Sequence, residues 1–441
     1  MYVKRDIEKD LINLLNSSVS RIILISGARQ TGKTTMLQNF KYDKEKLIIN
    51  LWDENTEVQS LKNADTFEKF SNYLVQFFNF KPDGKRILII DEAQASKSLG
   101  KFIMQMHREW TDQKVILSGS ILSNLFDENM PMPVGRVLEI VMRPMNFREF
   151  LRFSNKENYF DLLFDSSGVL DENIHEILMS QYEQFIFAGG LPGIVSAYIE
   201  KEPLLIHFES LLNNFYRDAD RYIHNDRENR THAVQYGTLM EHCLKTIGHN
   251  VAFPTTNSTI LSTDSPSYRI ILPKVLEALR SWHIAYYLNN ETFQQTSKKG
   301  YSSKKYVFDT GIMNFLINSM MPVSLKNGNE VSAKLLENVV LQELVTYAGS
   351  LRMITTYKKN NKSRNEVDFI VRHNNMTIPV EVKLADKPSL KPVNQLLEFM
   401  NDMNAKKGFV IYTGKPHVEN TGGKEIEFIP PYLIPEIFKI G

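Results

Sequence analysis

The stretch Gly27-Ala28-Arg29-Gln30-Thr31-Gly32-Lys33-Thr34-Thr35 constrains this chain more than any other part of it. It fits the spacing G-x-x-x-x-G-K-[ST], and its flanks suit that spacing. Upstream, Arg21-Ile22-Ile23-Leu24-Ile25-Ser26 is a short β-branched apolar run of the kind that makes a buried strand. Downstream, Lys33 to Phe40 reads as a helix. A strand, a glycine turn and a helix in that order aim backbone N–H groups and a helix N-terminus at a phosphate chain. Gly27 and Gly32 carry no Cβ, so the loop can curl around phosphates without a clash. In that geometry Lys33 neutralises the β and γ phosphates of ATP, and the Thr34 hydroxyl ligates Mg²⁺. The whole loop, Gly27 through Thr35, is the candidate nucleotide-binding segment.

At 441 residues the chain exceeds one ordinary core, and about two to four domains are expected. Hydrophobic and charged fractions of 42% and 23% are those of a globular chain rather than a disordered one. The single cysteine, Cys243, excludes a disulfide framework and suits a reducing cytoplasm. No apolar run reaches the ~20 residues that cross a bilayer, and the charged N-terminal stretch is unlike a secretory signal. A cytoplasmic protein with no membrane partner is therefore expected. Formal net charge is +1, so any contact with nucleic acid has to come from local basic patches.

Further along, Leu47 to Leu51 predicts a second strand, and Thr66 to Phe78 a helix closed by the turn Lys81-Pro82-Asp83-Gly84. Then Arg86-Ile87-Leu88-Ile89-Ile90-Asp91-Glu92 places two acids at the end of an aliphatic run, which resembles a Walker B strand. Asp91 would hold the hydration shell of Mg²⁺, and Glu92 would orient or deprotonate the attacking water. The next strand, Lys114 to Ser120, ends in polar residues, as does the strand carrying the first sensor of AAA-type ATPases. Ser118 and Ser120 both qualify for that contact. Gly135 to Val141 supplies a fifth strand, preceded by Arg136, either an arginine finger or a structural cation. Candidate catalytic residues are thus Glu92, Lys33, Arg136 and Ser120, with Thr34 and Asp91 as metal ligands. Residues 1–150 are expected to form an α/β parallel-sheet ATPase domain with its site at the strands' C-terminal ends.

Residues 151–225 read as helical, interrupted by the turn Gly189-Gly190-Leu191-Pro192-Gly193, with Phe185, Phe187, Phe208 and Phe215 as core. Residues 226–325 have the outline of a winged helix, namely helices followed by two strands around the basic loop Lys298 to Lys305. A solvated lysine loop on a helical linker is the alternative. In residues 326–441, an acidic helix bearing Glu337 precedes two strands. The first carries Asp368; the second carries Glu381 and Lys383 on one face, because strand side chains alternate. This order resembles the PD-(D/E)xK nuclease core, in which carboxylates bind Mg²⁺ and the lysine helps generate hydroxide or stabilise charge. Val367-Asp368 stands where that core has Pro-Asp. Glu337, Asp368, Glu381 and Lys383 are a second candidate site, or else a charged hairpin on a module that has lost its chemistry or only binds DNA. The basic run Lys358 to Arg364 beside it suits phosphate contact or a solvated edge.

Further words extend the pattern across nearly the whole chain: Arg5, Ile90-Asp91-Glu92-Ala93-Gln94, Leu117-Ser118-Gly119-Ser120, and Arg143-Pro144-Met145-Asn146-Phe147-Arg148-Glu149-Phe150. They continue with Gly189-Gly190-Leu191-Pro192, Tyr306-Val307-Phe308-Asp309-Thr310-Gly311 and Glu366-Val367-Asp368-Phe369. With the glycine loop, these resemble a family of prokaryotic AAA-type ATPases whose C-terminal domain of unknown function is related to the restriction-endonuclease-like fold. The resemblance implies ATP binding, a winged helix and a nuclease-like terminal module. It leaves the partner open between nucleic acid and protein, and the oligomeric state open as well.

Overall fold

The computed structural model describes residues 2–18, 21–126, 136–164, 170–223, 236–249, 266–291, 304–358, 366–390 and 393–440. The chain divides into two compact units, Met1–Arg143 and Pro144–Gly441. The three modules read from the sequence after residue 150 pack within the second unit.

The first unit runs α1 (Ile7–Asn16), β1 (Ile22–Ser26), α2 (Lys33–Asn39), β2 (Glu45–Asn50), α3 (Thr56–Lys62), α4 (Phe67–Phe78), β3 (Arg86–Asp91), α5 (Leu99–Glu109), β4 (Val115–Ser118) and β5 (Val137–Val141). Its strands form a parallel sheet in the order β2-β3-β4-β1-β5. The inner strands are aliphatic on both sides because the sheet is covered on both faces. Alternation divides them between two cores. Leu24, Leu88, Ile90 and Leu117 join Phe67, Phe70, Phe102 and Trp110, whereas Ile23, Ile25, Ile89 and Ile116 join Leu11, Leu15, Met36 and Leu37. Register then lines up the strand ends. Ile25 lies beside both Ser118 and Ile140, Ile90 beside Leu117, and Asp91 beside Asn50. Ser26, Asp91 and Ser118 therefore emerge at one edge of the sheet, where the glycine loop begins. No periodicity predicts α3, whose seven residues start at a side-chain cap: Asn55 accepts the Val58 N–H.

The second unit begins with α6 (Phe147–Phe153), α7 (Glu172–Ala188), α8 (Pro192–Ile199), α9 (Leu204–Ile223), α10 (Tyr236–His249) and α11 (Pro266–Ser281). It continues with β6 (Ala285–Leu288), β7 (Asn290–Glu291), β8 (Lys304–Val307), α12 (Thr310–Asn318) and α13 (Glu330–Ala348). It ends with β9 (Ile354–Lys358), β10 (Glu366–His373), β11 (Met376–Val382), α14 (Asn394–Asp402), β12 (Lys407–Ile411), β13 (His417–Thr421) and β14 (Lys424–Ile429). Phe185, Phe208 and Phe215 are buried, as predicted, and Phe187 is half-buried. β6 and β8 pair antiparallel, Leu288 opposite Lys304. The basic loop expected between them, the run 359–364 and most of the connector 255–267 lie outside the described residues. The other strands form a mixed sheet ordered β13-β14-β12-β11-β10-β9-β7, with Leu396, Phe399 and Met400 of α14 sharing a core with Tyr357, Val410 and Phe428. Strands β9, β13 and β14 are not predicted; β13 buries none of its five residues, although β14 does alternate, with Ile426 and Phe428 buried and Glu425 and Glu427 half-buried.

Polar residues on α13 hold this unit together. Asn338 accepts the Val307 N–H and donates to the Val307 carbonyl, each at 3.0 Å. Gln342 accepts from the Thr310 N–H, and Glu343 from the Phe147 N–H at 2.9 Å. A second joint explains two motifs. Asp309, fully buried, accepts the Gly190 N–H at 2.8 Å and the Ile312 N–H at 3.1 Å. A Cβ on Gly189 would lie 2.3 Å from the Asp309 carboxylate, so the Gly-Gly turn and the Asp-Thr-Gly turn are shaped to each other.

Candidate functional site

The glycine loop is held open by its own backbone. Gly27, Gln30 and Gly32 adopt φ of 143°, 63° and 94°, positive values of the kind that curl a chain into an anion-binding concavity. A Cβ on Gly27 would lie 2.2 Å from the Met142 carbonyl oxygen, so β5 and the loop meet only through a glycine. The Thr31 hydroxyl, buried, donates to the Ala28 carbonyl at 2.9 Å. The buried Arg5 guanidinium donates to the Thr31 and Arg143 carbonyls, both at 2.9 Å, and fastens the loop from outside. Arg29 lies over the exposed Trp52 ring, 5.3 Å from its centre, whereas Gln30 and Thr35 face outward.

Lys33 folds back over the loop. Its ammonium donates to the Gly27 and Ala28 carbonyls at 2.8 and 2.9 Å. Burial lowers its pKa to about 8, against the pull of Glu92 and Asp91. The Thr34 hydroxyl donates to one oxygen of Asp91 at 2.5 Å, and the Ser118 hydroxyl to the other at 2.7 Å. One hydroxyl and one carboxylate from neighbouring elements are the hard oxygen donors that Mg²⁺ takes when it keeps several waters and substrate oxygens. The donor set therefore fits that ion. Glu92 stands in a left-handed conformation at φ 53° and accepts from the Gln94 amide at 2.5 Å; burial, above all, raises its pKa. A Cβ on Gly119 would lie 1.9 Å from the Gln94 amide oxygen, which is buried without a hydrogen-bond partner. Gln94 thus packs against the bend between the two serines, a role that spacing alone does not reveal.

The two serines part company. Ser118 touches Asp91, whereas the Ser120 hydroxyl is buried without a hydrogen-bond partner. Arg136 lies elsewhere. It precedes Val137, which pairs with Ile22 at the start of β1, so it sits at the sheet edge opposite the loop. Its guanidinium contacts the Met104 sulfur at 3.1 Å. The β1–β5 register thus sets it at the end of the sheet away from this chain's own glycine loop.

In the second unit Glu337, Asp368, Glu381 and Lys383 do come together. The Asp368 N–H donates to Glu381 at 3.3 Å, the Val382 N–H to Asp368 at 3.0 Å, and Lys383 pairs with Glu381 at 2.5 Å. Burial and then the Asp368 charge push Glu381 up to about 8. One residue that the sequence does not single out stands among them. The Lys304 ammonium lies 2.8 Å from Glu366, 3.3 Å from Asp368 and 3.5 Å from Glu337. Among the described residues, no group of three or more His, Cys, Asp or Glu is placed to hold a metal ion. The carboxylates expected to bind Mg²⁺ here are instead held by lysines, so the donor set does not fit the ion.

Residues 19–151 match a family model described as an AAA domain, and residues 332–432 match one described as a domain of unknown function (DUF4143). An uncharacterized protein of Haemophilus influenzae is 24% identical over 428 residues, covering 94% of each chain. An uncharacterized protein of Methanocaldococcus jannaschii is 25% identical over 377 residues, covering 84% of this chain and 75% of that one. Among solved structures, the Walker-type ATPase of Pyrococcus abyssi aligns with 71% of this chain and 96% of its own. It does so at 16% identity and a TM-score of 0.43. The stretch from 19 to 151 is an AAA domain of the P-loop ATPase type.

Proposed function

We propose that this protein is a Mg²⁺-dependent ATP hydrolase whose nucleotide state governs what its second unit does to a nucleic-acid or protein partner. The observation that carries the hydrolytic half is the shared carboxylate. Asp91 takes hydroxyls from Thr34, just past the loop, and from Ser118 on the neighbouring strand. Loop amides and Lys33 would bind the phosphates, exchanging the Gly27 and Ala28 carbonyls for phosphate oxygens. Thr34 and Asp91 would hold Mg²⁺, which supplies charge neutralisation across the β and γ phosphates. Glu92, whose burial raises its pKa and so makes its carboxylate a stronger base, would take a proton from the attacking water while Gln94 fixes its position. Phosphate release by the purified chain tests this. Wild type should turn over, and Lys33→Ala and Glu92→Gln should not; equal release by all three ends the proposal.

The second unit is proposed to contain a winged-helix-like part, α10, α11 and the β6–β8 hairpin, and a nuclease-like part from α13 onward. Support comes from the order of elements, acidic helix, strand with Asp368, strand with Glu381 and Lys383. A cytoplasmic setting is part of the same proposal; among the described residues no helix is long and apolar enough to cross a membrane. An alternative favoured by the Lys304 contacts is a slow-turnover switch with a catalytically silent terminal module. Tight nucleotide retention with near-zero turnover would favour it, whereas Mg²⁺-dependent cutting of plasmid or single strands, lost in Asp368→Ala, would favour a nuclease.

A further inference from the structure

Lys304 opens strand β8 and points into the acidic centre, with its side chain 7% exposed. Two residues on, and so on the same side of the strand, the Tyr306 hydroxyl donates to Glu337 at 2.9 Å. Most of the carboxylate oxygens around them have partners. Asp368 gives one oxygen to Lys304 and the other to the Val382 N–H. Glu381 gives one to Lys383 and the other to the Asp368 N–H. Glu366 gives one to Lys304 and lies 3.8 Å from Lys358 through the other. Glu337 gives one oxygen to both Lys304 and Tyr306.

A divalent ion needs oxygens drawn in to about 2.0–2.1 Å for Mg²⁺, in near-octahedral array. It cannot share that space with an ammonium already within hydrogen-bond reach of the same carboxylates, because the two cations repel at short range in a buried site. The carboxylates of Glu366, Asp368 and Glu337, at 2.8, 3.3 and 3.5 Å, hold the Lys304 ammonium in place against the cost of burying it.

We propose that Lys304 is a tethered cation standing in the place of a divalent metal, so that the terminal acidic centre is closed to Mg²⁺ and Mn²⁺. Its acids serve to clamp β8 to α13 and β10. Replacing the lysine by a neutral side chain of similar length would turn a salt-bridged joint into a metal site. This inference concerns the nuclease-like part of the proposed function, and it stands or falls without reference to ATP turnover.

The test is Mn²⁺ binding by the full chain without nucleotide, read from loss of the free Mn²⁺ signal in electron paramagnetic resonance. The Thr34 and Asp91 site is common to all variants and cancels in each comparison. Wild type and Asp368→Asn should bind alike. Lys304→Met should gain one Mn²⁺ site per chain beyond the wild-type count, and Lys304→Met with Asp368→Asn should lose it. Lys304→Arg, which keeps the charge, should behave as wild type. An Asp368-dependent Mn²⁺ site in wild type overturns the proposal, as does a folded Lys304→Met that gains none. Should Lys304→Met fail to fold by circular dichroism, the wild-type and Asp368→Asn pair decides alone. Identical binding supports the closed centre, and a difference refutes it.

Discussion

Asp309 should give the second unit a stability that falls as pH rises. Its carboxylate is fully buried where the Gly-Gly turn meets the start of α12. Burial raises its pKa from 3.8 to about 6, even though the N–H groups of Gly190, Ile312 and Gly311 pull the other way. The folded state thus holds the proton more tightly than the unfolded chain does. Its contribution is complete below pH ~4 and is lost as pH climbs through about 6. A shift of roughly two units at ~1.36 kcal/mol each amounts to ~3 kcal/mol across that window. Asp309→Asn removes the titration while leaving every other ionisable group in place. The difference in unfolding free energy between variant and wild type isolates the one carboxyl. Equilibrium urea unfolding at pH 4 to 7 measures it, followed by fluorescence of Trp282, which is buried in the second unit. Replacing Trp52 and Trp110 by Phe keeps the signal local. Wild type should lose ~3 kcal/mol relative to Asp309→Asn between pH 4 and 7. A difference that stays flat, or a wild type that gains with pH, refutes the reasoning.

Three further outcomes are expected. Gly27→Ala sets a Cβ 2.2 Å from the Met142 carbonyl oxygen at a φ of 143°, and should weaken Mg-ATP binding by more than tenfold in calorimetry while the Trp282 transition stays put. Arg5→Met strands the Thr31 and Arg143 carbonyls at about 1–3 kcal/mol each, and should lower the unfolding temperature of the first unit and loosen ATP binding. Ser118→Ala removes one of the two hydroxyls on Asp91 and should cut turnover roughly tenfold, the range of one charge-assisted hydrogen bond, whereas Ser120→Ala should stay close to wild type.

The nucleotide site was legible because its chemistry is local. Glycines at fixed offsets, a lysine and a hydroxyl sit within one loop, and an aliphatic strand ends in Asp91-Glu92, so spacing alone brings the elements into view. The choice between Ser118 and Ser120 was not legible, because it depends on strand register: Ile90 opposite Leu117 sets Ser118 beside Asp91. The two roles open to Arg136 were not separable for a related reason, since proximity to a strand does not tell which end of the sheet it joins. In the second unit, the strands around Asp368 and Glu381 are apolar enough to read, but β9 is irregular in its burial and β13 buries no residue at all. Lys304 lay hidden in a lysine-rich stretch whose composition suggests a solvated loop. Its burial comes from pairing Leu288 with Lys304 and from Glu337 on a helix further along, neither of which periodicity can reveal. The Asp309 joint was equally invisible: its partner turn is at Gly189-Gly190, and no local pattern links the two.

The strand order has a bearing on how the molecule is born. The strand that leads into the phosphate loop, residues 22–26, finds its hydrogen-bonding neighbours only at 115–118 and 137–141. As the chain leaves the ribosome, that apolar run must wait without a partner until most of the first unit has been synthesised, a slow, long-range closure of the sort that invites chaperones. The nascent chain thus acquires its grip on a nucleotide late, and a truncation before residue 137 would leave the loop's own strand bare along one side.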